Sequence, residues 1–127
     1  FKRTKNNDLI IDAYNANPTS MKASLEFFSN VPTSLPKMVI LGEMKELGAT
    51  TREEHQRMID FLKGQSFKRV LLVGKIFKEF SISELGFPVY DDVEELIDYL
   101  KKEPVEKYYI LLKGSHSVGL EKAIDFL

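Results

Sequence analysis

The chain has 127 residues, 18 Lys plus Arg against 19 Asp plus Glu, no cysteine and two histidines, which suits one domain with a single core. Near-neutral charge without a dense basic block argues against nucleic-acid binding, and the lack of cysteine excludes disulfides, thiol nucleophiles and thiolate metal sites and fits a reducing compartment. His55 and His116 are too far apart for a metal-binding H-E-x-x-H pattern, and no apolar stretch approaches the roughly 18 residues of a membrane span, so the chain reads as soluble and cytoplasmic, with no membrane insertion.

The first residue is Phe1 rather than Met, which suggests a piece of something longer. Leu9-Ile10-Ile11 is a short β-branched run that stops at Asp12 and a cluster of amides, and reads as a buried strand. Asn17 then caps a helix whose first residue is Pro18, with Met21, Leu25 and Phe28 on one face. The helix dies in the prolines that follow Asn30. Met38 to Leu41 is a second strand, ended by Gly42.

Thr51-Arg52-Glu53-Glu54 has the spacing of a capping box, with Thr51 as cap, ahead of a helix buried through Met58, Ile59 and Leu62 that stops near Gly64. Val70 to Val73 is a third strand, ended by Gly74 and followed by a short amphipathic piece around Ile76, Phe77 and Phe80. Val89-Tyr90 reads as a brief fourth strand. Asp91 is the expected cap of a helix carrying Val93, Leu96, Ile97 and Leu100 at i, i+3, i+4 and i+7. Tyr108 to Leu112 makes a fifth strand, and Leu120, Ala123, Ile124 and Leu127 line the inner face of a closing helix.

Strand and helix in alternation predict an α/β fold with a mainly parallel sheet and helices on both faces. In such sheets ligands sit beyond the carboxyl ends of the strands, which nominates Asp12 to Asn17, Gly42 to Met44, Gly74 to Lys75, and Lys113 to Ser117. The chain contains no G-x-x-x-x-G-K-[ST], no G-x-G-x-x-G and no G-x-S-x-G. It therefore lacks a phosphate cradle of its own and a visible nucleophile elbow.

Four blocks carry a family resemblance: Asp12-Ala13-Tyr14-Asn15-Ala16-Asn17-Pro18 with Ser20-Met21; Leu41-Gly42-Glu43-Met44 with Glu46-Leu47-Gly48 and His55; Val73-Gly74; and Leu112-Lys113-Gly114-Ser115 with Leu120-Glu121. Together they resemble the carboxy-terminal domain of the Mur ligases, over about Leu9 to the end. The resemblance implies a three-layer Rossmann-like domain spanning 1–127, working beside a UDP-sugar domain and a central ATPase domain of the same protein that are not in this sequence. It further implies an ATP- and Mg2+-dependent ligase of peptidoglycan precursor synthesis. Such an enzyme activates the carboxylate of UDP-MurNAc-tripeptide as an acyl phosphate, which the amine of D-Ala-D-Ala attacks.

By the same resemblance Asp12, Tyr14, Asn15 and Asn17 contact nucleotide, while Lys113, Gly114 and Ser115 lie by the amino substrate. Asp12 suits ribose hydroxyls, or else caps local backbone; Asn17 can equally be only a helix cap. Lys113 suits a substrate carboxylate or phosphate, or else is a solvated surface group. No residue here is assigned catalysis and no metal ligand is expected, so the chain alone should be inactive and hold no cofactor tightly. Relatives usually have Asp where Glu43 stands and often Arg where His116 stands, and His55 reads as a packing or capping residue. Two other readings remain open: a free-standing Rossmann-like nucleotide-binding or regulatory domain without ligase activity, and an interaction module, which would need an exposed apolar patch.

Overall fold

The computed structural model describes residues 1–13, 15–80 and 86–127, so the expectation for Tyr14 lies outside the described residues. The Leu9-Ile10-Ile11 run forms β2 (Asp8–Asp12), preceded by a two-residue strand β1 (Lys2–Arg3). Then come α1 (Pro18–Asn30), β3 (Lys37–Gly42), α2 (Thr51–Lys63), β4 (Arg69–Val73), β5 (Val89–Tyr90), α3 (Val93–Lys102) and β6 (Tyr109–Lys113). The sheet order is β1-β2-β6-β3-β4-β5, parallel throughout except for the antiparallel β1–β2 pair. The last strand of the sequence thus slots between β2 and β3, which places Asp12 opposite Lys113.

The unbroken apolar runs follow from the layering. Val39 and Leu41 of β3, Val70 and Leu72 of β4, and Leu111 of β6 join Met21, Leu25 and Phe28 of α1 and Met58, Ile59 and Leu62 of α2 in one core. Met38, Ile40, Leu71, Val73, Ile110 and Leu112 point the other way, onto Val93, Leu96 and Leu100 of α3 and onto Leu120, Ala123 and Leu127. A strand covered on both faces must be apolar at odd and even positions alike.

Several local expectations are corrected. Thr51 is the first residue of α2 and its hydroxyl donates to the Gly48 carbonyl; the residue before it, Thr50, makes no side-chain cap. A 3-10 turn over Gly48–Thr50 leads into α2 and takes up the turn that a capping box would have used, while Glu54 pairs with Arg57. The cap of α3 is Asp92, which accepts from Glu95 N–H at 2.9 Å, because Asp91 is drawn off by Lys78 at 2.8 Å. The closing segment is 3-10 over Leu120–Phe126 rather than α-helical. It is seven residues long and held at its end by Thr4 and Asn7 donating to the Leu127 carbonyl. β1 carries no apolar pattern; its hairpin is closed by Thr4 and Asn7 instead. The stop at Gly64 holds, with Gly64 as C-cap.

Candidate functional site

Because β2, β6, β3 and β4 are parallel neighbours, their carboxyl ends open on one edge, and the four nominated loops line it together. Their backbones interlock. Gly114 N–H donates to the Asp12 carbonyl at 3.3 Å and Glu43 N–H to the Val73 carbonyl at 2.9 Å. Gly42 and Gly114 pass so closely that a Cβ on Gly42 would lie 3.2 Å from the Gly114 Cα.

At one end of this rim sits an ion pair. Asp12 and Lys113 are register partners on adjacent strands, so both side chains emerge on the face covered by α1 and α2. Lys113 Nζ donates to Asp12 Oδ2 at 2.6 Å and to the Asn15 carbonyl at 3.0 Å. The lysine is 1% exposed, whereas the Asp12 side chain is 43% exposed. Lys113 is therefore no solvated surface group.

The loop after β2 ends in α1. Asn17 Oδ1 accepts from Ser20 N–H at 2.9 Å and Ser20 Oγ accepts from Asn17 N–H at 3.1 Å, a reciprocal cap. Asn17 therefore caps α1, and both Asn15 and Asn17 stay exposed. After β6, Gly114 is buried and Ser115 half-buried, with Ser115 Oγ 3.1 Å from Ser117 Oγ and the exposed His116 opening a 3-10 turn.

Two buried polar residues in the other half of the rim were not singled out as a unit by sequence. Glu43, 7% exposed, accepts from Ile76 N–H at 3.0 Å and pairs with Lys45, tying β3 to the turn after β4. His55, fully buried, accepts the Met44 N–H at Nε2 and donates from Nδ1 to the Thr51 carbonyl, the neutral tautomer. Burial pushes its pKa below the ordinary imidazole value, although the bond to Thr51 and the carboxylates of Glu43, Glu79 and Glu54 pull the other way. A Glu one residue after a strand and a His in the following helix are a faint signal, since only the fold turns both toward one loop. Beside the rim, a groove of about 790 Å³ between α1 and α2 is floored by Met21, Leu25, Met44 and Met58.

Asp12 presents a half-exposed carboxylate, chemistry that suits a hydroxyl donor, and at the start of α1 Ser20 N–H is taken by the Asn17 side chain. Among the described residues no three His, Cys, Asp or Glu side chains converge to hold a metal ion, and no helix is long and apolar enough to cross a membrane.

A three-layer α/β domain with its polar residues gathered along the carboxyl edge of a parallel sheet is a ligand-edge domain of the doubly wound class. Residues 1–116 match the model of the Mur ligase, glutamate ligase domain, and the chain belongs to that family. It is 34% identical over 96% of its length to UDP-N-acetylmuramoyl-tripeptide--D-alanyl-D-alanine ligase of Rickettsia prowazekii and 32% identical over 97% to that of Escherichia coli. It spans only 28% and 27% of those two proteins. Among solved structures, the fold matches a MurF ligase from Thermotoga maritima in complex with ADP, with TM-score 0.69 and 24% identity over 98% of this chain and 29% of that one. A UDP-N-acetylmuramoylalanyl-D-glutamyl-2,6-diaminopimelate--D-alanyl-D-alanyl ligase from Acinetobacter baumannii matches with TM-score 0.75 and 21% identity, over 98% of this chain and 27% of that one.

Proposed function

We propose that this chain is the closing domain of an ATP-dependent ligase that joins D-Ala-D-Ala to UDP-MurNAc-tripeptide in the cytoplasm, in the synthesis of peptidoglycan precursors. Support comes from the family match and from relatives of that name aligned over nearly the whole chain. The observation that carries the division of labour is that the chain aligns with only 28% and 27% of those relatives while gathering a braced carboxylate, amides and a serine on one edge.

In this reading ATP and Mg2+ are held mainly by a central domain of the same protein. Asp12, Asn15 and Asn17, and by the family resemblance Tyr14, contact the nucleotide, with Asp12 accepting from ribose hydroxyls. Past the end of β6, Gly114 and Ser115 face the incoming amine. Phosphorylation turns the tripeptide carboxylate into an acyl phosphate, a far better leaving group. The amine then attacks the carbonyl carbon, the C–O bond to phosphate breaks, and the amine loses its proton. What the rim supplies is orientation and exclusion of water when it closes, because hydrolysis competes with the amine for the same intermediate.

The test is release of ADP and phosphate by the full-length protein with both acceptor and dipeptide present. Turnover that needs UDP-MurNAc-tripeptide and D-Ala-D-Ala together, and none from the 127-residue chain alone, is the expected result. Turnover by the isolated chain, or indifference of the full-length protein to D-Ala-D-Ala, contradicts the reading.

A further inference from the structure

We infer that Lys113 is a positioning residue for the nucleotide-facing loop, bracing Asp12 and the Asn15 backbone from inside, and that its ammonium does not serve the amino substrate; this rests on the functional reading above. The pair is asymmetric. The ammonium end is covered while the acid is nearly half exposed, so the acid presents itself outward and the lysine holds it from beneath.

The ammonium also reaches away from its own chain continuation. Lys113 ends β6, whose chain continues into Gly114 and Ser115, yet its ammonium donates to Asp12 at the end of β2 and to Asn15 in the loop that follows. A substrate carboxylate seeking this ammonium would have to enter a covered site and displace Asp12, stranding that carboxylate next to another negative charge. Holding Oδ2 instead restrains the carboxylate and leaves Oδ1 to accept from a ligand hydroxyl. The bond to the Asn15 carbonyl sets the path of the loop just before the Asn17 cap.

The experiment uses the full-length enzyme as wild type, Lys113→Met, Asp12→Asn and the double variant, with KM measured separately for ATP and for D-Ala-D-Ala. Loss of the brace should raise the KM for ATP about tenfold, the scale of a charge-assisted bond, and leave the KM for D-Ala-D-Ala within about twofold. The double variant should be little worse than Asp12→Asn, since the two residues act as one unit. A raised KM for D-Ala-D-Ala with ATP unaffected, or additive losses in the double variant, overturns the proposal.

Acetylation of Lys113 by an amine-reactive reagent, read by peptide mass spectrometry, gives an answer even where Lys113→Met does not fold. Slow labelling in the wild type, unchanged by D-Ala-D-Ala and faster in Asp12→Asn, supports the brace. Fast labelling, or protection by D-Ala-D-Ala, refutes it. A wild type that forms no ADP with these substrates sinks the functional reading instead, and the labelling of wild type against Asp12→Asn then decides the brace separately.

Discussion

The imidazole of His55 receives the Met44 N–H at 2.9 Å on Nε2 and gives its own Nδ1–H to the Thr51 carbonyl, so one neutral side chain ties the Gly42–Met44 turn to the first turn of α2. Its ring also meets the edge of Phe77, with centroids 5.3 Å apart. Replacing His55 with Ala should cost about 2–4 kcal/mol, combining lost ring packing with an orphaned Met44 amide. Chemical denaturation at pH 7.5 measures it, and a loss under about 1 kcal/mol would show that the tie contributes little.

The same geometry sets a pH dependence. A proton on Nε2 would place a donor against the Met44 N–H, and burial already lowers the folded-state pKa. The unfolded chain, with an ordinary value near 6.5, therefore takes up the proton first as pH falls. His55 costs nothing in stability above that value and becomes progressively destabilising as pH drops from about 6.5 toward the lower folded value. Melting temperatures between pH 8 and 5.5 should fall for the wild type and fall less for His55→Leu; parallel curves would exclude the effect.

Gly74 has φ +138°, and a Cβ there would lie 2.6 Å from Cγ and Cδ of Glu43. Glu43 has little room to retreat, because Ile76 N–H and Lys45 hold its carboxylate. Gly74→Ala should destabilise by about 2–4 kcal/mol through backbone strain plus overpacking. Denaturation of Gly74→Ala in the wild-type and Glu43→Ala backgrounds separates the two causes, since Glu43→Ala removes the crowding Cγ and Cδ and leaves the backbone requirement at residue 74. Equal losses in the two backgrounds would mean that crowding by those atoms adds nothing.

Asn17→Ala removes the side chain that caps Ser20 N–H and should cost about 1 kcal/mol, with Asn17→Ser recovering most of it. Equilibrium unfolding checks the stability. In the full-length enzyme the KM for ATP asks a separate question: a rise in Asn17→Ser as large as that in Asn17→Ala would indicate that the amide also contacts nucleotide.

At the start of α3, Asp92→Ala should cost about 1 kcal/mol, whereas Asp91→Ala, losing only an exposed pairing with Lys78, should cost clearly less. The reverse order in urea denaturation would reinstate Asp91 as the cap.

Much of this was legible without coordinates. The apolar runs of β3, β4 and β6 announced strands buried on both faces, and Met21, Leu25 and Phe28 announced the inner face of α1, because burial imposes a period that composition records. Boundaries fared worse. Neighbouring Asp91 and Asp92 offer the same chemistry, and which of them caps is decided by Lys78 arriving from a different turn. Thr51 lost its box to the 3-10 turn ahead of it, and β1 left no pattern, since two exposed residues bury nothing.

The sequence by itself determined the layered α/β fold, the family and the four loops that carry polar chemistry, because periodicity and motif are written residue by residue along the chain. Only the tertiary structure decided that Lys113 is buried against Asp12, that Glu43 leans on Gly74, and that His55 is an acceptor inside the rim. The physical reason is strand order. β6 inserts between β2 and β3, so residues 101 positions apart become hydrogen-bonded neighbours, and a lysine that would otherwise sit in water becomes an internal charge with a fixed partner.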